Sequence, residues 1–162
     1  MMAIELVKQY FTQFGREVDI VEHEQSTATV QEAADALGVH PARIAKTLSF
    51  KVNDEPILIV AAGDAKIDNS KFKGKFGVKA KMLTPDEVLQ ATGHAVGGVC
   101  PFGLTSDVAV YLDASLKRFT TVFPACGSSN SSIELTLQEL EQFAKANSWV
   151  EVSKDLDCEL SE

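Results

Sequence analysis

Long apolar runs are missing from this 162-residue chain: the longest, Ile57 to Ala62, is far too short to cross a bilayer, so no membrane partner is expected. Cysteine is sparse. Cys100, Cys126 and Cys158 are an odd number at wide spacings with no Cys-x-x-Cys pair, which argues against a disulfide framework and a structural zinc site. The three histidines, His23, His40 and His94, form no His-x-x-x-His pair, and no metal or other cofactor is expected. Repeats and low-complexity blocks are lacking, as is a basic segment followed by an apolar one at the amino terminus. The expected compartment is the cytoplasm.

Positive charge is also in deficit. A net charge of -8 argues against a nucleic-acid partner, since affinity for phosphate backbones comes largely from lysine and arginine. The distribution softens that objection. Between Lys66 and Lys81 stand six lysines against one acid, Asp68, a stripe able to steer an RNA end or simply a solvated face.

The length fits one domain over residues 1–152, followed by an acidic tail over 153–162. Ile4, Val7, Tyr10, Phe11 and Phe14 share one helical stripe that stops at Gly15. Thr29 with Glu32, Thr84 with Glu87 and Thr136 with Glu139 write three capped helix starts, the first running to Gly38. Strands are expected over 18–22, 44–52, 56–62, 108–112, 119–123 and 133–135, with a hairpin turn at 53–55. The strand at 56–62 is apolar throughout and belongs in the middle of a sheet. Helices interspersed irregularly with paired strands indicate an α+β fold.

Period-two alternation puts Lys46 on the same strand face as Ile44, Leu48, Phe50 and Val52, with Ala45, Thr47, Ser49 and Lys51 on a solvated face. An ammonium among apolar neighbours needs an anion, water or an exit to solvent. Lys46 is therefore aimed into a cleft, or opens the strand and snorkels at its rim. Three glycines and a proline fall within Gly97 to Gly103, giving a rigid turn whose exposed N–H groups can hold a phosphate, a carbonyl oxygen or a ribose edge. A third stretch, Pro124 to Ser132, is small and polar, and reads as a surface loop or a pocket wall.

The order Lys46-Thr47-Leu48, the 97–103 turn, Asp113, Gly127 and Ile133-Glu134-Leu135 closely resembles the YbaK/EbsC/ProX family of aminoacyl-tRNA deacylases, relatives of the editing domain inserted in bacterial prolyl-tRNA synthetases. The likeness runs from about Glu22 to Leu140. It implies a mixed, largely antiparallel and partly barrel-like sheet with helices around it. It also implies hydrolysis of the ester joining a wrong amino acid, cysteine or another small one, to the 3′-terminal adenosine of tRNA(Pro). The partners implied are mischarged tRNA and, optionally, prolyl-tRNA synthetase. The family's essential lysine falls on Lys46 and its Gly-x-x-x-Pro loop on Gly97 to Pro101, so Lys46 with Gly98, Val99 and Cys100 are the implied catalytic set. His23, Thr47, Gly97, Pro101, Gly127, Ser128 and Ser129 are the implied substrate-binding set. Two departures stand out. Many relatives carry serine at the position of Cys100, and Lys46-Thr47-Leu48 is nearer the cysteine-clearing branch than the Lys-Asn-Leu of the alanine-specific one. A non-catalytic binding module of the same fold is the competing reading. Oligomeric state is not legible.

Overall fold

The computed structural model describes residues 2–156. Among these described residues five helices, α1 (Ala3–Thr12), α2 (Val30–Leu37), α3 (Asn69–Phe76), α4 (Pro85–Thr92) and α5 (Leu137–Ala144), alternate irregularly with eight strands. These are β1 (Val21–Glu22), β2 (Ile44–Val52), β3 (Glu55–Ala62), β4 (Ala109–Asp113), β5 (Thr121–Pro124), β6 (Ser131–Ser132), β7 (Leu135–Thr136) and β8 (Ser148–Val150). The α+β expectation holds.

Local chemistry sets the helix starts. Thr29, Thr84 and Thr136 each accept the N–H of the glutamate three residues on, and that glutamate accepts the threonine N–H in return. The lysine-rich stretch contains α3, capped by Asp68 at its start and by Gly77, with φ at 79°, at its end. Only Phe72 of its eight residues is buried, so the stretch carries too little apolar periodicity to announce a helix.

Six strands form one sheet in the order β7-β5-β2-β3-β4-β8. The longest ladder, β2 with β3, is antiparallel and closes through Asn53 and Asp54, whose φ values of 52° and 65° make the tight turn expected of a two-residue hairpin. β2 pairs with β5, β3 with β4 and β4 with β8 in parallel, while β5 pairs with β7 antiparallel, so the sheet is mixed. β1 and β6 form a separate small ribbon tied to the sheet by the bridge between Ala125 and Ser132.

Three expectations need correction. The strand expected over 18–22 is a short 3-10 turn over Glu17–Asp19 followed by two strand residues, because Val18 is left exposed and offers no face to bury. Of the strand expected over 133–135 only Leu135 is in a strand, β7, while Ile133 and Glu134 connect it to β6. The solvated face of β2 is no such thing: Ala45 and Ser49 are buried, since both faces of the sheet are covered. Leu58, Val60 and Ala62 join Ala45 in the main core with Phe11 of α1 and Phe102, whose rings lie 4.9 Å apart. Ile57, Ile59 and Phe50 pack on the opposite side against Phe72 of α3. β3, buried from Ile57 to Ala62, is central as its composition required.

The acidic stretch from 153 begins in packing: Ser153 bridges Ile67, Lys154 N–H donates to the Lys66 carbonyl and Asp155 meets Lys71 at 2.8 Å. Residues 157–162, including Cys158, lie outside the described residues.

Candidate active site

β2 is bordered on its outer edge by two different partners. β5 pairs with Ile44 and Ala45 at one end; the segment 81–83 pairs at the other, with Lys51 N–H donating to the Lys81 carbonyl and the Ser49 carbonyl accepting from Leu83. Backbone groups of alternate residues point to the same edge, so Thr47 shares the orientation of Ser49 and Lys51 and directs its N–H and carbonyl into the gap. Its Oγ1 is buried and also lacks a partner. An interrupted sheet edge thus leaves three polar groups of one residue unused.

A cavity of about 410 Å³ opens on that gap. Lys46, Thr47, Leu48 and Ser49 form its floor, Gly97 and Val99 one wall, Thr27 to Val30 another, and Ser131 and Ser132 a third. Met82 and Val96 stand at 57% and 65% exposure and form an apolar rim. Among the described residues, the lining holds no acidic side chain, and Lys46 is its one charged residue.

The Lys46 ammonium donates to the carbonyls of Gly63, at 3.2 Å, and Ala65. These carbonyls answer the solvation demand that the sequence posed, and a third N–H of the ammonium stays free for a ligand. Burial pushes the lysine below its usual range; Asp64 nearby opposes that shift and Lys66 adds to it. The 63–65 turn is itself fixed. A Cβ on Gly63 would sit 2.1 Å from the Pro41 carbonyl oxygen, and Asp64 is held by Arg118 through two contacts of 2.6 and 3.0 Å. Arg118 holds the Asp64 carboxyl below its usual range. Asp113 is fully buried and accepts from Ser115 N–H, Val152 N–H and the Ser153 hydroxyl, a structural assignment that braces the same turn, since Ser115 Oγ accepts the Ala62 N–H.

The 97–103 turn is stiff for identifiable reasons. Gly98 would place a Cβ 2.7 Å from the backbone nitrogen of Ser128, so the two loops touch backbone to backbone. Gly127, with φ at 93°, meets the backbone of Ala3 in the same manner. His94, fully buried, accepts the Cys100 N–H on Nδ1 at 3.2 Å, while its Nε2 faces the Gly103 carbonyl without completing a hydrogen bond. Burial lowers its pKa, so the ring is neutral.

The predicted residues therefore separate. Lys46, Thr47, Gly97 and Val99 share the cavity. Gly98 N–H is already bonded to the Ala95 carbonyl and Cys100 N–H to His94, so over 97–100 the unengaged amides, among the described residues, are those of Gly97 and Val99, the two turn residues that line the cavity. The Cys100 thiol points into the core, where burial pushes it up to about 12, too high for a thiolate nucleophile. Pro101 lines a second cavity of about 550 Å³ on the far side of the turn, beside Tyr10 and Phe143. Ser128 Oγ lies 3.0 Å from Asn130 Oδ1 and 2.6 Å from Ser131 Oγ and does not line the first cavity; exposed Ser129 accepts Thr27 N–H through its carbonyl. His23 reaches the cavity only through Ser132, its Nε2 2.9 Å from Ser132 Oγ. Ser131 and Ser132 line the cavity, in keeping with the pocket-wall alternative for the 124–132 stretch, although neither was among the named substrate-binding residues. Among the described residues, no cluster of three or more histidine, cysteine or acidic side chains suits a metal ion, and no helix is long and apolar enough to cross a membrane.

Comparison with known proteins bears on this cavity. The aminoacyl-tRNA editing domain family matches residues 24–143. The uncharacterized protein YwhH of Bacillus subtilis (strain 168) is 59% identical over 155 residues, covering 95% of this chain and 99% of that protein. The proline--tRNA ligase of Geobacillus sp. (strain WCH70) is 32% identical over 108 residues, which are 66% of this chain and 19% of the ligase, so the chain spans about a fifth of that relative. A crystal structure described as a candidate trans-editing enzyme for prolyl-tRNA synthetase superposes with a TM-score of 0.85 at 28% identity, covering 94% of this chain and 98% of that one.

Proposed function

This chain belongs to the aminoacyl-tRNA editing domain family, and from that premise we propose that it acts in trans as a deacylase, cleaving the ester of tRNA(Pro) mischarged with cysteine or another small amino acid. The observation that carries the reading is the shared cavity: a lysine with a free N–H, an unpaired strand edge at Thr47 and the unengaged amides of Gly97 and Val99 all border the same space.

An aminoacyl ester is already activated, so the protein needs to orient it, stabilise the developing oxyanion and admit water. Lys46 acts electrostatically on the carbonyl oxygen or the adjoining phosphate. The Gly97 and Val99 amides complete the oxyanion contacts, and the Thr47 carbonyl receives the substrate's amino group. Small apolar walls at Ala28, Ala33, Ile44 and Val88 suit a small uncharged side chain, and Met82 and Val96 at the rim suit the face of the terminal adenine. His23 contributes through Ser132, while Cys100, Pro101, Gly127, Ser128 and Ser129 serve by holding the two loops in place.

The test is a panel of tRNA(Pro) charged with alanine, cysteine, serine and threonine. Release of at least one amino acid at a rate well above the protein-free control is expected. Tight tRNA binding without acceleration of any ester would establish the non-catalytic binding module instead.

A further inference from the structure

Among the described residues, Ser132 is the one cavity-lining hydroxyl paired to an imidazole, and that pair is not part of the oxyanion machinery above. Its 4% exposed side chain borders the cavity, with Oγ 2.9 Å from His23 Nε2. The ring is presented by a backbone clamp: His23 N–H donates to the Asn130 carbonyl at 2.7 Å, and Asn130 Nδ2 donates to the His23 carbonyl at 2.9 Å. Neighbouring Ser131 is occupied by the Ser128 hydroxyl at 2.6 Å, which leaves Ser132 as the hydroxyl that couples to a base. Its position across the cavity follows from register. Ala45 pairs with Pro124, and the next residue of that strand, Ala125, bridges Ser132. Ser132 therefore stands two strand spacings from the level of Lys46, about 10 Å between backbones with Ala125 between them, and both residues line the same cavity.

We propose that Ser132 is a catalytic residue that passes a proton from the attacking water to His23, making the pair the general base of the deacylation; this rests on the editing reading above. With the imidazole proton on Nδ1, Nε2 takes the Ser132 proton as Oγ takes one from the water, and the water oxygen bonds to the ester carbonyl carbon. Collapse of the tetrahedral intermediate breaks the bond to the ribosyl oxygen, which leaves with the proton returned through Ser132. Oxidant and reductant are not involved. The charged groups around His23 are Glu22, ion-paired with Lys8 at 2.8 Å, exposed Glu24, and Lys46 across the cavity; the facing segment 128–132 has none.

The experiment measures kcat and KM from pH 5 to 8.5 on cysteinyl- and alanyl-tRNA(Pro) for the wild type, His23→Gln, Ser132→Ala and Ser132→Thr, with circular dichroism and Tm as controls. Expected are losses in kcat of about a hundredfold for His23→Gln and Ser132→Ala with KM within about twofold, and a mild effect of Ser132→Thr. An ascending limb in the wild-type pH profile should vanish in His23→Gln. Persistence of that limb in His23→Gln, or a wild-type kcat in Ser132→Ala, overturns the pair as a base and leaves it a hairpin staple, while the editing reading stands. A wild type inert towards every charged tRNA removes the editing reading and the pair together.

Discussion

Cys100 donates its backbone N–H to Nδ1 of His94 across 3.2 Å, so the turn that borders the cavity is held by a buried ring six residues upstream. Losing that acceptor leaves a buried donor unsatisfied, which costs about 1–3 kcal/mol. His94→Leu should therefore lower stability by that order and slow deacylation. His94→Asn, whose side-chain oxygen sits near the place of Nδ1, should restore much of both. Denaturant melts and single-turnover deacylation of the two variants check this.

The same ring gives a pH dependence of stability. Burial depresses the folded-state pKa of His94 below its ordinary 6.5, so between those values the unfolded chain binds the proton and the native chain does not. The contribution is present above about pH 6.5 and is lost as pH falls from there toward the depressed folded value. Urea midpoints at pH 7.5 and pH 5 should differ more in the wild type than in His94→Asn.

Gly98 has no room for a methyl group: the added Cβ would lie 2.7 Å from Ser128 N and 2.8 Å from the Gly127 carbonyl carbon, both backbone atoms. Gly98→Ala must push the two loops apart, at about 1–3 kcal/mol. Because Gly97 and Val99 sit on either side, activity should fall further than stability does. A deacylation rate unchanged in Gly98→Ala would show that the turn does not position the ester.

These relationships were unequally legible in the sequence. Threonine-glutamate caps and the parity of β2 are local, and they placed three helix starts and the face of Lys46 correctly. The carbonyls that hold Lys46 belong to Gly63 and Ala65, backbone groups that leave no side-chain signature. The turn at 97–101 was visible from its glycines, but which amides it leaves free depends on His94 and Ala95, whose contacts arise only on folding. Small Ala45 and Ser49 read as a wet face, although their size suits the crowded second layer of the core. The lysines of α3 concealed a helix whose signals, Asp68 and Gly77, were present at its two ends.

Lys71 is tied to Asp155 at 2.8 Å and to the Ser153 carbonyl, so Lys73, Lys75 and Lys79 are among the exposed lysines of this stretch that can meet RNA, with Lys66 and Lys81 at its ends. Replacing the three with alanine should weaken binding of full-length tRNA and reduce the salt slope of log K by about two to three. Filter binding between 50 and 200 mM salt measures it. An unchanged slope would make α3 a solvated face only.

Cys100 is buried with its thiol pushed up to about 12, so native protein should resist alkylation there at neutral pH. Cys100→Ala should retain deacylation within a few fold, with peptide mapping after iodoacetamide treatment as the companion measurement.

The central claim is that Lys46 and the 97–99 turn act on one ester. Its most direct test is single-turnover deacylation of cysteinyl- and alanyl-tRNA(Pro) by the wild type and by Lys46→Ala, with folding checked by Tm. Loss of one oxyanion contact predicts a fall of about 100- to 1000-fold in Lys46→Ala on whichever ester the wild type clears. A well-folded Lys46→Ala protein that clears that ester at the wild-type rate would contradict the account.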